Sequence, residues 1–287
     1  MMEKILTIGM AVYDDYDGVY FTVQALRLYH EICRSDRVEF IIIDNNPDSA
    51  NGKACKHFAT FVPNCKYVPY TVRTSTSVRN EVFKNASGKY TICLDSHVMV
   101  LPNGIDKLLE YFSGMPECKN IVQGPLVYDY LKLDSASTHF TPGWSHGMYG
   151  KWATDRDSLV SGNPFEIPMQ GLGLFACETK YWVGFNKYFK GFGAEEGYIH
   201  EKFRIAGGKA ICLPDLKWIH RFDRPNGIKY PLILEDRIWN YFVGWLELTQ
   251  DPNHEMIQGA YNHFKDKIPQ GSIDVILNNA INKIIIQ

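Results

Sequence analysis

What this 287-residue sequence has little of sets the first limits. Its formal net charge is only -2, so it lacks the electrostatic footprint of sequence-independent nucleic-acid binding, and a nucleic-acid partner is unsupported. No apolar run approaches the about 20 residues of a membrane-spanning helix. Met1-Met2-Glu3-Lys4 leads straight into a strand and does not have the build of a secretory signal. The seven cysteines (33, 55, 65, 93, 118, 177 and 212) are odd in number, scattered and without a C-x-x-C pair. That spacing argues against a disulfide framework and a cysteine zinc site, and for a reducing compartment. Internal repeats and low-complexity segments are missing too. The expectation is a soluble cytoplasmic protein with no membrane partner.

What is present is ordinary for a globular chain: 45% hydrophobic and 22% charged residues, with length enough for a sizeable core. Aromatic content is high at 14%, which suits either packing or stacking on a ring-bearing ligand. Residues 5–12 read as a buried strand, followed by an acidic turn at Asp14, Asp15, Asp17 and Gly18 and a helix over about 20–33. The almost continuously apolar segment 38–44 predicts a second strand, parallel and covered on both faces. It ends in the polar cluster 44–48. A short strand near 66–69, a helix over 75–86 and a buried strand from 89 follow, then a helix over 105–112 and strands near 120–128, 169–177, 210–214 and 217–222. A further helix starts near Gly197, and 231–267 reads as helical, with Trp239, Phe242, Trp245 and Leu246 on one face. Between them, 135–168 reads as a long aromatic loop, a candidate lid. This alternation predicts an α/β fold with a mainly parallel central sheet flanked by helices and a helical C-terminal region.

The chemistry concentrates at one strand end, Leu94-Asp95-Ser96-His97. Asp95 and His97 are two apart, so in extended backbone both leave the same side, and a carboxylate with an imidazole can share a divalent cation. In open α/β sheets ligands bind beyond the carboxyl ends of the strands. Here those ends carry 11–15, 44–46 and 95–97, acidic on one rim. His220 is a candidate third ligand or an ordinary buried histidine. Glu195-Glu196 is either a reactive pair or a helix N-terminus with favourably placed acids. Arg221, Arg224 and Lys229, around Pro225-Asn-Gly227, form either a loop that closes on an anion or a solvated surface. Trp144, His146, Tyr149 and Trp152 either stack on a substrate or anchor their own loop.

These residues carry a resemblance. Ser77-Val-Arg79-Asn80, then Ala86-Ser-Gly88-Lys-Tyr-Thr-Ile-Cys-Leu-Asp95-Ser-His97, resembles the Arg…Ala-x-Gly…Leu-Asp-x-Asp segment of GT-A fold, family-2-like glycosyltransferases. Its closing His is similar to the polypeptide N-acetylgalactosaminyltransferase variant. Gly173-Leu174-Phe-Ala, Gly191-Phe-Gly-Ala-Glu195-Glu196 and Trp218-Ile-His220 resemble further segments of that family and of galactosyltransferases, in order over about residues 4–225. The resemblance implies a GT-A catalytic domain over 1–228, with a nucleotide-binding half (1–100) and an acceptor and metal half (101–228). A helical extension over 229–287 packs on it.

The implied activity is metal-dependent transfer of a hexosyl or N-acetylhexosaminyl group from a UDP-sugar to an unidentified acceptor hydroxyl. Asp95, His97 and His220 would hold the cation, manganese or magnesium. Asp44 would meet uracil, Ala11, Val12 and Tyr13 the uridine, and Arg79, Asp95 and Ser96 the ribose and phosphates. Gly173, Leu174, Trp144, Arg221 and Arg224 would lie toward the substrates. Glu195 would contact the donor sugar or acceptor. Glu196 stands where inverting relatives carry a catalytic base and retaining ones an Asn, which leaves the stereochemistry open. Ala194 departs from the motif's usual Gly, and the membrane anchor and lectin-like extension of the animal enzymes are missing, so their peptide acceptor is not carried over. Two alternatives stand: a nucleotidyltransferase acting on sugar phosphates, although the turn after the first strand is acidic instead of basic and glycine-rich, or a non-catalytic nucleotide-sugar-binding protein.

Overall fold

The computed structural model describes residues 3–132, 135–224 and 227–286. Pro225 and Asn226 of the basic segment, and Met1 and Met2, therefore lie outside the described residues. The chain starts as a β/α alternation: β1 (Leu6–Val12), α1 (Tyr16–Tyr29), β2 (Val38–Asp44), α2 (Ala50–Ala59), β3 (Cys65–Pro69), α3 (Asn80–Asn85), β4 (Tyr90–Asp95), β5 (Val98–Val100) and α4 (Gly104–Ser113). The middle follows as β6 (Ile121–Gln123), β7 (Leu126–Val127), β8 (His139–Ser145), β9 (Met148–Ala153), α5 (Arg156–Ser161), β10 (Phe165–Glu166) and β11 (Leu174–Glu178). Then come α6 (Glu196–Ile205), β12 (Ala210–Cys212), β13 (Trp218–His220), α7 (Leu234–Thr249), α8 (Glu255–Phe264) and α9 (Ser272–Ile281).

The central sheet runs β10-β12-β6-β11-β4-β1-β2-β3, with β1, β2, β3 and β4 mutually parallel and β11 inserted antiparallel between β4 and β6. The expected mainly parallel α/β sheet is present. Both its faces are covered, as the unbroken apolar run of 38–44 requires. Phe40 and Ile42 of β2 enter one apolar layer with α1, α2 and α4, while Ile41 and Ile43 enter the other with α3, α6 and the C-terminal helices. A three-stranded sheet, β5-β13-β7, lies beside this core.

Several expectations need correction. The first helix begins at Tyr16, four residues earlier than its apolar spacing suggested, because the Asp15 side chain accepts the Gly18 N–H as a helix cap. Helix α2 was not anticipated; it is capped by Ser49 and buries only a narrow stripe of Gly52, Cys55, Phe58 and Ala59. The segment read as a long loop contains the β8–β9 hairpin and α5. A register shift between Thr141 and Trp144 breaks the period-2 signal there. The C-terminal helical stretch is two helices, interrupted at Gln250, whose φ is 54°. The tail folds back as α9, and α7, α8 and α9 share one apolar layer with the sheet. Among the described residues no helix is long and apolar enough to cross a membrane.

Candidate active site

Parallel register is what assembles the site. Ala11 pairs with Asp95 and Val12 with Asp44, so β1, β2 and β4 end on one rim. Asp95 is tied there by its own N–H, which donates to the Gly173 carbonyl at 2.9 Å. The chain then turns back into β5, and β13 pairs antiparallel with β5, setting His220 opposite Val98. Two segments more than a hundred residues apart thus bring Asp95, His97 and His220 together, with one ligand atom of each within 4.8 Å of the others. The rings of His97 and His220 meet edge to face at 4.7 Å.

The donor set fits a divalent cation. His97 is hydrogen-bonded on both sides: its Nδ1 lies 2.8 Å from Asp15 Oδ2 and its Nε2 2.8 Å from Arg224 Nη2. A carboxylate only accepts and a guanidinium only donates. The neutral ring therefore carries its proton on Nδ1 and turns the Nε2 lone pair to a cationic group. Burial holds His97 below its ordinary pKa against the opposing pull of Asp15 and Asp95. His220 Nε2 faces Asp95 Oδ2 at 3.4 Å, and its buried Nδ1 has no hydrogen-bond partner among the described residues. One carboxylate with two imidazoles suits manganese better than magnesium, which prefers all-oxygen surroundings.

Arg79 links this cluster to a second one. Its Nη2 donates to Asp95 Oδ1 at 2.9 Å and its Nη1 to Glu195 Oε1 at 3.2 Å, all three side chains being largely buried. The loop carrying Glu195 is held by the Thr76 N–H, which donates to the Gly191 carbonyl, and by the Gly191 N–H, which donates to Thr74. The two ends of this chain of charges differ sharply. Burial would raise Asp95, but Arg79 and the His220 hydrogen bond hold its carboxyl well below the usual range. Burial likewise opposes, and the His97 and Ser96 hydrogen bonds overcome, in keeping Asp15 ionised. At the other end burial raises the pKa of Glu195 against the pull of Arg79. Burial raises Glu196 as well, and its neighbour Glu195 adds to the effect. Glu195 Oε2 is buried without a hydrogen-bond partner among the described residues.

The rim encloses a cavity of about 310 Å³. Ala11, Val12, Tyr13, Arg79, Asp95, Ser96, His97 and Arg224 line it. Residues 7–139 match the family model described as Glycosyl transferase family 2. GalNAc-T7, solved with UDP, GalNAc and Mn2+, is similar with a TM-score of 0.68 at 17% identity, over 98% of this chain and 54% of that one. The mannosyltransferase PcManGT from Pyrobaculum calidifontis, in complex with GDP-Man and Mn2+, gives 0.54 at 13% identity, over 98% and 74%. S. aureus TarS 1-349, in complex with UDP-GlcNAc, gives 0.54 at 11%, over 98% and 80%. The fold is GT-A. This chain spans about half the length of the GalNAc-T7 chain it matches.

Within the GT-A fold the remaining expected residues fall in other places. Asp44 is fully buried and turned from the cavity: its Oδ1 accepts the Asn46 N–H at 2.9 Å and its Oδ2 the Tyr67 O–H at 2.7 Å. Its neighbour Asn45 reaches the lining instead. Leu174 is fully buried, in register with Leu94, and meets the core. Gly173 is small for its own neighbours: a Cβ there would lie 2.8 Å from the Trp218 ring and 3.1 Å from His220. Trp144 lies outside the cavity lining, packed on Tyr241, His263 and Phe264. Arg221 bonds Asp15 at 3.3 Å and borders a smaller cleft behind His97. Glu195 and Glu196 sit behind Arg79, outside the lining proper. Asp15 of the rim segment 11–15 and Phe192 line the cavity without having been given a role, and Tyr230 and Asp236, which also line it, were not expected there. Phe192 lies inside the Gly191–Glu196 motif and Asp15 in the acidic turn, so both had a local signal. Tyr230 and Asp236 had none.

Proposed function

We propose that this protein is a metal-dependent glycosyltransferase that moves a hexosyl or N-acetylhexosaminyl group from a UDP-sugar to an acceptor hydroxyl. The observation that carries the proposal is the Asp95, His97 and His220 cluster beyond the ends of the parallel strands, with Asp95 and His97 lining a cavity that Arg79 also lines. A divalent cation held there, manganese by preference, would neutralise a departing diphosphate. Arg79, locked between two carboxylates, keeps Asp95 ionised and aimed. Arg224 offers guanidinium N–H groups at the same point, and Ala11, Val12 and Tyr13 shape the nucleoside end. UDP as the nucleotide is supported by the GalNAc-T7 and TarS complexes. PcManGT was solved with GDP-Man, so a guanosine donor is the competing case.

For the proton, Glu196 is the candidate base. Its raised pKa suits a group that must accept a proton near neutral pH. This favours inversion at the anomeric carbon. A retaining reaction, in which the departing phosphate takes the acceptor proton, is favoured by the place of Glu196 outside the cavity lining. The configuration of the product distinguishes the two. A cytoplasmic location belongs to the same proposal.

The test is a mass-spectrometric screen of the purified protein with Mn2+ against UDP-glucose, UDP-galactose, their N-acetyl forms and GDP-mannose. Metal-dependent hydrolysis of one UDP-sugar is expected. No binding or hydrolysis of any nucleotide sugar, with or without metal, would overturn the proposal.

A further inference from the structure

We infer that Asp15 is a positioning residue for the metal site: its carboxylate accepts the His97 Nδ1–H and so holds His97 in the tautomer whose Nε2 keeps its lone pair, which accepts from Arg224 Nη2 at 2.8 Å here and would be offered to a bound cation in Arg224's place. The inference rests on the metal reading of the site and adds a residue to it. Asp15 Oδ2 takes two donors, His97 Nδ1 at 2.8 Å and Ser96 Oγ at 2.7 Å, while Oδ1 takes the Gly18 N–H and Arg221 Nη2, each at 3.3 Å. One side chain therefore ties the start of α1 to the strand tip that carries His97 and to the residue following His220.

The surroundings are shaped for that carboxylate. A Cβ on Gly18 would lie 2.3 Å from Asp15 Oδ2 and 2.6 Å from the Ser96 carbonyl, so the first turn of α1 leaves the space the carboxylate occupies. Thr22 of the same helix donates to that Ser96 carbonyl at 2.8 Å and fixes the backbone beside His97. An imidazole metal ligand commonly gives its second N–H to a carboxylate, which sets the ring's tautomer and orientation and raises its basicity. Asp15 is placed to do this for His97, and its helix-capping bond is a separate job for the other oxygen.

The two jobs come apart in Asp15→Ser, because serine is a good helix cap and its short hydroxyl does not reach the imidazole. Full-length wild type, Asp15→Ser and Asp15→Ala are titrated with Mn2+, read by the EPR signal of the free ion. The His97 tautomer is read from ring 15N shifts in the metal-free protein. Expected are an Nδ1–H tautomer in the wild type and a loss of about 10–100-fold in Mn2+ affinity in both variants, with Asp15→Ser melting closer to wild type than Asp15→Ala. A role confined to capping predicts wild-type affinity in Asp15→Ser. Affinity within twofold of wild type in that variant, or an Nε2–H tautomer in the wild type, would overturn the inference alone. A wild type that binds no Mn2+ would sink the metal reading and this inference with it.

Discussion

The two ends of the Arg79 bridge solve opposite electrostatic problems with the same residue types. At the Asp15 and Asp95 end, buried carboxylates are surrounded by guanidinium and imidazole groups and stay ionised. At the Glu195 and Glu196 end, one arm of Arg79 reaches Glu195, Glu196 feels Arg79 and Arg237 only through space, and both carboxyls are pushed toward the protonated form. The difference teaches that burial alone does not assign a role to a carboxylate. The count and sign of its partners do: the first end is arranged to hold positive charge, the second to hold or receive a proton.

The sharpest way to break this contrast is at the first end. Asp95→Ala is expected to remove metal-dependent nucleotide binding, with Mn2+ affinity falling by more than the about 100-fold that losing an outer partner costs. Unchanged affinity in calorimetry would mean the cation sits elsewhere. At the second end, Glu196→Gln should lower the transfer rate by roughly 10²–10⁴-fold with donor binding intact, the usual span for a lost general base. A fall of less than tenfold would take the base role from Glu196 and favour retention.

Removing the bridge itself, as in Arg79→Met, strands buried carboxylates at both ends. Stability should drop by about 3–5 kcal/mol, measured by urea unfolding. A loss below about 1 kcal/mol would show that the two ends do not depend on the shared cation.

The pH dependence is the most diagnostic. Asp95 and Asp15, with depressed values, stabilise the fold above their ordinary pKa of about 3.9 and lose that contribution as pH falls. Glu195 and Glu196, with raised values, stabilise it below about 4.3 and lose that contribution as pH rises through the raised range. Relative to wild type, metal-free Glu196→Gln should therefore gain stability between about pH 5 and 8, by up to ~1.4 kcal/mol for each pH step of one that the wild-type carboxyl stays protonated. Asp95→Asn should show its deficit above about pH 4. Parallel trends in the two variants would refute the contrast.

Much of this was legible in the sequence because it is local. The strands of 38–44 and 90–95 are unbroken apolar runs, and a polar tip such as Asp95-Ser96-His97 declares itself where such a run stops. The Gly191–Glu196 motif and His220 stand out by residue type. Less legible were elements whose signal is weak or interrupted. Helix α2 buries too few apolar residues for a clear period, and the hairpin over 139–153 loses its alternation at Pro142 and Gly143. Residue type also misled. Leu174 belongs to a recognisable motif yet faces the core, and Asp44 ends the right strand but spends both oxygens on Tyr67 and Asn46. Trp144 offers an aromatic face that α8 covers.

By itself, the sequence determined the parallel α/β character and the strand that ends in Asp95, because strand period and burial are properties of neighbouring residues; His97 lies not in extended backbone but in the turn between β4 and β5, and that turn brings it to Asp95. Only the tertiary structure decided that His220 completes the cluster, that Arg79 joins it to Glu195, and that Asp15 turns His97. Those contacts span from 82 to 206 positions in the chain for Asp15 and 116 for Arg79 with Glu195. Pairing at such separations is set by sheet register and crossover, and local pattern carries no trace of it.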